Sequence, residues 1–300
     1  MSATDFVTTP EYDAFGPWIL DVTDAAQVPR IFATFPIDFA AVRRVVKVPR
    51  NVIRRDANPQ MDLYDHLLIA DAERLTVLSR EGSHYSILSL AYEQIAALRD
   101  SVNLLDGRLT IYARDGSVLV LPYNGTSRAL IGEIMLAVRS EMLRTRPVRS
   151  APARPGLPLM RLDDLGRRDA VFVSTTRELM RDEPKFRVLA AHGRSTVRPR
   201  GGAAAQFSHL LDPASLHGLV LLASDAELQI ISRRDAITRN GAPVVSLARL
   251  VFPFANLTSV EAFEHPDYLE VHTVRLTLGS AAIDVPVPQS SLAESVLRAL

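Results

Sequence analysis

The chain contains no cysteine in its 300 residues. That excludes disulfides, thiol nucleophiles and Cys-ligated zinc or iron–sulfur centres, and it fits a reducing compartment. Lysine is almost missing too: Lys47 and Lys185 stand alone, so arginine carries the positive charge. Net charge is absent, because 34 basic and 34 acidic side chains cancel. The halves balance separately, with 17 basic against 18 acidic up to residue 150 and 17 against 16 beyond it. Nucleic-acid binding needs a concentrated basic footprint, since Lys and Arg contacts to phosphate supply most of the non-specific affinity, and no nucleic-acid partner is expected. No apolar run reaches the ~18 residues of a membrane-spanning helix. Met1 to Pro10 has neither the basic nor the apolar segment of a signal peptide. A cytoplasmic protein is expected, with peripheral contact at the inner face of a membrane left open.

The signatures of catalysis are also missing. The seven histidines, His66, His84, His192, His209, His217, His265 and His272, form no H-E-x-x-H or similar pair, and no metal is expected. There is no G-x-S-x-G elbow and no S-x-x-K match with supporting companions. Neither G-x-G-x-x-G nor a P-loop occurs, and Gly201-Gly202 lacks the strand-to-helix context that would cradle a phosphate. Asp62, Asp65 and His66 could supply a carboxylate–imidazole pair, but at the start of a strand the same residues read as a turn. No cofactor and no catalytic residue is nominated; a carboxylate pair assembled from distant segments stays open.

What is present is ordinary globular material, 47% hydrophobic and 23% charged, long enough for two domains. Residues 144–165 hold Pro147, Pro152, Pro155 and Pro158 among Arg144, Arg146, Arg149 and Arg154, which reads as a stiff linker. On either side lie two copies of one plan. Leu68 to Arg80, LIADAERLTVLSR, and Leu221 to Arg233, LLASDAELQIISR, each place Asp-Ala-Glu between apolar stretches. Each reads as a hairpin, Leu67–Ala70 with Leu75–Ser79 and Leu219–Ala223 with Leu228–Ser232, turning at 71–73 and 225–227. Leu109, Ile111 and Ala113 then alternate with polar residues before Asp115-Gly116, a hairpin-turn dipeptide, and a return strand from Val118 to Leu121. Val274–Leu278 and Ala281–Val287 flank Gly279-Ser280 in the same way. Both copies close with an amphipathic helix, Leu130, Ile134 and Val138 in one and Leu292, Val296 and Leu300 in the other, the second opened by a Ser291/Glu294 capping box. Val45 to Arg55 reads as an opening strand pair with Phe186 to Val197 as its counterpart. In the N-terminal extension, Trp18–Val22 reads as a strand and Ala25–Phe35 as a short helix.

LLIADAERLTVLSR, then LAYEQIAAL with Tyr92, Glu93 and Ile95, then GRLTIYARDGSVLVLPY and the helix through Met142 resemble bacterial pleckstrin-homology-like domains; VFPFANLTSVEAF is the second-copy example. The resemblance implies an α+β, mainly β chain with two PH-like modules, each an antiparallel β-sandwich or half-barrel closed by a C-terminal helix. The divisions are 1–42, an extension packing on the first module; 43–143, module one; 144–165, linker; and 166–300, module two. It implies a non-catalytic binding or assembly role, through a protein partner or self-association. Eukaryotic relatives hold phosphoinositides with basic residues on the first hairpin, and Arg43, Arg44, Lys47, Arg50, Arg54 and Arg55 lie near that place. They are the candidates for an anionic ligand or membrane surface, with Arg194, Arg198 and Arg200 as second-module equivalents. Interleaved Val45, Val46, Val48, Val52 and Ile53 allow the plainer reading of these cations as the wet face of a strand.

Overall fold

The computed structural model describes residues 8–145, 157, 160–161, 164–202, 211–239 and 245–300. The first half runs α1 (Pro10–Ala14), β1 (Leu20–Asp21), β2 (Arg44–Pro49), β3 (Tyr64–Ala70), β4 (Arg74–Glu81), β5 (His84–Ala91), β6 (Ile95–Asn103), β7 (Asp106–Ala113), β8 (Val118–Asn124) and α2 (Arg128–Arg144). The second half runs α3 (Ala170–Asp182), β9 (Arg187–His192), β10 (Ser195–Thr196), β11 (Arg198–Pro199), β12 (Ser215–Leu216), β13 (Leu219–Ala223), β14 (Glu227–Ser232) and β15 (Ile237–Thr238). It finishes with β16 (Leu247–Pro253), β17 (Leu257–Glu264), β18 (Tyr268–Leu269), β19 (Val271–Leu278), β20 (Ala281–Pro288) and α4 (Leu292–Arg298). The class is α+β, mainly β, and its larger sheets are antiparallel throughout.

The order β2-β3-β4-β5, 3₁₀ turn Tyr92–Gln94, β6-β7-β8, α2 recurs as β9-β13-β14-β16, 3₁₀ turn Phe254–Asn256, β17-β19-β20, α4. Registers match as well: Ala70 faces Leu75 and Ala223 faces Leu228. This alignment shifts the Asp-Ala-Glu match by one residue. Asp71 Oδ1 accepts the Glu73 and Arg74 amides, both at 2.7 Å, and Ser224, not Asp225, does the corresponding work for Ala226 and Glu227. Glu227, expected in the turn, is instead the first residue of β14 and fully buried.

Gly116 and Gly279 sit at the two later hairpin turns with φ of +94° and +71°, a region L-residues enter only at a cost. In the capping box Ser291 Oγ accepts the Glu294 amide at 3.1 Å, whereas the Glu294 carboxylate reaches back to the Ser290 amide at 2.6 Å.

Several expected elements come out differently. Val45 to Arg55 is one strand, β2, which pairs with β3 and stops at Pro49; a 3₁₀ turn occupies Arg54–Asp56. Proline has no amide to continue the ladder. Trp18–Val22 shrinks to β1, and Ala25–Phe35 is two 3₁₀ turns, Ala25–Gln27 and Arg30–Phe32, separated at Pro29. Phe186–Val197 becomes β9 and the short β10. Most of the linker lies outside the described residues. Of its described positions, Leu157 donates to Val188 O at 2.8 Å and Met160 is buried on α3 and its neighbours.

One feature of the architecture joins the halves: β6 pairs with β16. The result is a single sheet of seven strands, β8-β7-β6-β16-β14-β13-β9, flanked by the sheets β1-β2-β3-β4-β5 and β17-β19-β20. One main core fills the space between β2–β5 and β6–β8 under α2, and the other fills the space between β13–β16 and β17–β20 under α4.

Candidate functional site

The basic run is drawn inward. Arg43 pairs with Glu141 on α2. Arg44 binds Asp21 at 2.8 Å and Glu133 at 2.6 Å. Lys47 is buried, donates to Gln27 O at 2.8 Å and lies 4.9 Å from the Tyr64 ring centroid; burial lowers its pKa. Arg50 donates to Asp62 O at 3.2 Å and lies 3.8 Å from Asp65. Arg54 holds the carbonyls of Tyr12 and Phe15. Arg43, Arg54 and Arg55 are exposed; the Arg55 side chain, 79% exposed, lies 3.6 Å from Asp56. Lys47, Arg44 and Arg54 thus tie residues 8–42 down onto β2. Nearby, Asp62 and Asp65 engage Arg30 and Arg80, and His66 Nδ1 is 3.0 Å from Ser79 Oγ. In the second half Arg194 meets Ser215 at 2.9 Å, Arg200 meets Glu264 at 2.7 Å, and Arg198 lies on β11. Among the described residues no three His, Asp or Glu side chains are grouped as metal ligands.

The densest chemistry lies where the halves meet. In the β6–β16 ladder, Arg249 faces Asp100 and Val251 faces Leu98. The Asn256 amide on the second 3₁₀ turn donates to Ile95 O at 3.1 Å and Ala96 O at 2.8 Å, so it caps the start of β6. The two hairpin turns touch: Ser280 N donates to Arg114 O at 2.7 Å, and a Cβ on Gly279 would lie 2.7 Å from that same carbonyl. Arg139, buried on α2, reaches Glu227 at 2.8 Å and also holds Glu183. Lys185 lies 3.4 Å from Glu183 and 3.7 Å from Glu227. Burial raises the Glu227 pKa. Burial, with Arg139 nearby, lowers that of Arg249 to about 10. For Glu183 burial pushes upward, but Arg139 outweighs it and the net shift is down. These charges fix how the halves sit, because a buried ion left without its partner costs about 3–5 kcal/mol.

A cavity of about 380 Å³ opens beside this junction. Leu219, Ile230, Leu250, Ile283 and Val285 form an apolar floor, with His217, His265, Arg99, Arg234 and Asp235 among the polar lining. Burial lowers both histidine pKa values, so the imidazoles stay neutral near pH 7. His217 Nε2 is 2.7 Å from Thr238 Oγ1, and His265 Nδ1 accepts the Asp267 amide. Arg99 donates to Arg234 O, and Arg234 to Asp106.

Comparison with family models, with curated proteins and with solved structures finds no match to this chain.

The unused strand edges complete the site. β5 and β17 each run eight residues, end their sheets and are largely exposed, with Ile87 at 55% and Phe263 at 37%. An edge strand presents unpaired amides and carbonyls to which another strand can add. Sequence reasoning touches β5 only at its end within LAYEQIAAL and β17 only within VFPFANLTSVEAF, and it does not identify either as an edge strand. It missed Arg139, Glu227, Asn256 and Arg249 as junction residues. The one local signal was Asn256, a polar residue between Phe254 and Leu257 in an apolar stretch.

Proposed function

We propose that this chain is a non-catalytic binding or assembly protein of two PH-like modules, located in the cytoplasm, which acts as adaptor or scaffold by strand addition at its open sheet edges. The observation that carries the reading is β5, an eight-residue edge without proline or a formal charge other than His84, in a chain whose own halves already associate by pairing edge to edge. A protein partner supplies an extended segment. Main-chain hydrogen bonds give the affinity, and alternate side chains such as Ile87 give the selectivity.

The test compares wild-type protein with Ile87→Lys in cross-linking and recovery from native lysate. Ile87 is exposed, so the variant keeps its thermal unfolding while the β5-dependent partner is lost. Undiminished recovery by a folded Ile87→Lys protein contradicts the reading.

The anionic-headgroup reading has weaker support, since five of its six cations hold partners elsewhere in the fold and the sixth, Arg55, sits beside Asp56. The enzymatic reading rests on the cavity, where His217 Nε2 lies 2.7 Å from the Thr238 hydroxyl; among the described residues neither cavity imidazole hydrogen-bonds a carboxylate that would orient it as the base of a triad. No helix among the described residues is long and apolar enough to cross a membrane.

A further inference from the structure

The pairing that joins the halves is heterologous, because β6 and β16 are not equivalent elements. β6 leads out of the first 3₁₀ turn, as β17 leads out of the second; β16 leads into the second turn, as β5 leads into the first. The joined pair therefore has a counterpart, β17 with β5. A two-fold relation between the halves would form that second pair inside the chain. It is not formed: β5 ends the sheet β1-β2-β3-β4-β5, and β17 ends the sheet β17-β19-β20. Among the described residues one junction is closed, and the two strands of its complement each end a sheet, one on each half.

The other outer edges of these three sheets are shielded by features that edge strands commonly use. β1 is only two residues long. β8 contains Pro122, and β20 contains Pro286 and Pro288. β9 is packed by α4. Among the described residues, β5 and β17 remain as full-length edges without proline.

We infer that the occupant of these edges is a second copy of this chain, with β17 of one copy adding antiparallel to β5 of the next in the register the chain already uses between β6 and β16. This rests on the strand-addition reading above and names its partner. The register can be read off by equivalence. Ser86 stands to Ser79 as Ala248 stands to Ser232, and counting from the two 3₁₀ turns sets Ala262 where Asp100 stands. The observed pair Arg249–Asp100 becomes Ile87 opposite Ala262, and Ala248–Ser101 becomes Ser86 opposite Phe263. Ile87 thereby gains an apolar neighbour on the strand across from it. Heterologous contacts of this kind join copies head to tail.

The experiment uses full-length chains carrying Ile87→Lys, which blocks β5, or Ala262→Lys, which blocks β17, with sedimentation analysis at rising concentration. The wild-type protein is expected to grow beyond one copy of 33.0 kDa. Each variant alone is expected to sediment as a monomer. An equal mixture should give a heterodimer of twice the chain mass, because it restores one intact β17–β5 contact, while the opposite contact would set two lysines face to face. Ser86→Pro and Thr258→Pro, each checked for folding by circular dichroism, are second blocks at the same edges. A wild-type protein that stays monomeric, or a mixture that forms no heterodimer, overturns the second-copy inference. The two failures separate: a monomeric chain that still recovers a different protein through β5 keeps the strand-addition reading, whereas one that recovers nothing loses both.

Discussion

The outer face of the first sheet is covered by irregular chain. Phe15, Val22, Phe32 and Leu63, from the extension and the β2–β3 loop, lie on Val45, Leu67, Ile69 and Leu78. In the second half the matching strand positions, Val188, Val220, Leu222 and Ile231, lie under the helix α3 through Phe172 and Val173. The strand plan sets which outward side chains are apolar; the cover is free to differ, because burial of apolar surface is not directional. The fastenings differ accordingly. Lys47, Arg44 and Arg54 tie down the first cover one contact at a time, while Arg233 fixes the start of α3 by itself, reaching Asp169 at 2.8 Å and Arg168 O at 2.6 Å with its guanidinium 4.7 Å from the Phe172 ring centroid.

If the covers are equivalent in energy, Phe172→Ala and Phe32→Ala should each cost about 3–5 kcal/mol in denaturant unfolding, since both rings are 0% exposed. A loss below about 1 kcal/mol at either site would show that its cover contributes little. The bond between the halves should be comparably expensive to break. Arg139→Met leaves Glu227 buried beside Lys185 alone and should cost about 3–5 kcal/mol near pH 8. The Glu227 carboxyl has its pKa raised by burial, so its neutral form is the one the fold favours. The deficit of Arg139→Met should therefore shrink as pH falls and the carboxyl takes up a proton. A deficit that grows on acidification contradicts this assignment. Asn256→Ala removes two hydrogen bonds to buried β6 carbonyls and should cost about 1–3 kcal/mol, with hydrogen exchange at Ile95 to Leu98 accelerating before that of β3.

The smallest effect separates the halves by pH. Burial lowers the pKa of His66 in the first half and of His192, His217 and His265 in the second. A histidine whose folded pKa lies below its unfolded value of about 6.5 takes up its proton more readily when unfolded. Its contribution is full at neutral and alkaline pH and is lost as pH falls through about 6.5 toward the folded value. Hydrogen exchange between pH 7.5 and 5 should show the second half loosening first, and equal loosening would contradict the assignment.

Much of the strand plan could be read from the sequence, because hairpins write themselves locally: Asp115-Gly116 and Gly279-Ser280 fall between alternating or apolar runs, and both appear as drawn. α3 was missed although Phe172, Val173, Thr176, Leu179 and Met180 repeat at helical spacing; lying just past a proline-rich linker and rich in Ser, Thr and Arg, it offers a weak pattern. The basic run reads either as an anion-binding face or as the wet face of a strand because sequence shows charge without showing its partners, and for Arg43, Lys47, Arg50 and Arg54 those partners, Glu141, Gln27 O, Asp62 O and Tyr12 O, come from 12 to 98 residues away. The junction was illegible for the same reason. LAYEQIAAL and VFPFANLTSVEAF read as matching segments of separate modules, and nothing local in either records that β6 and β16 pair across a separation of about 150 residues.

Hydrogen exchange read by peptide mass spectrometry at low and high protein concentration tests the edge asymmetry most directly. The account predicts that Leu98–Val102 and Leu247–Val251 are strongly protected at both concentrations, while β5 and β17 exchange quickly when dilute and become protected together when concentrated. Protection of β6 and β16 no greater than that of dilute β5 would contradict the joined sheet, and edges that stay equally exposed at every concentration would contradict their pairing between copies.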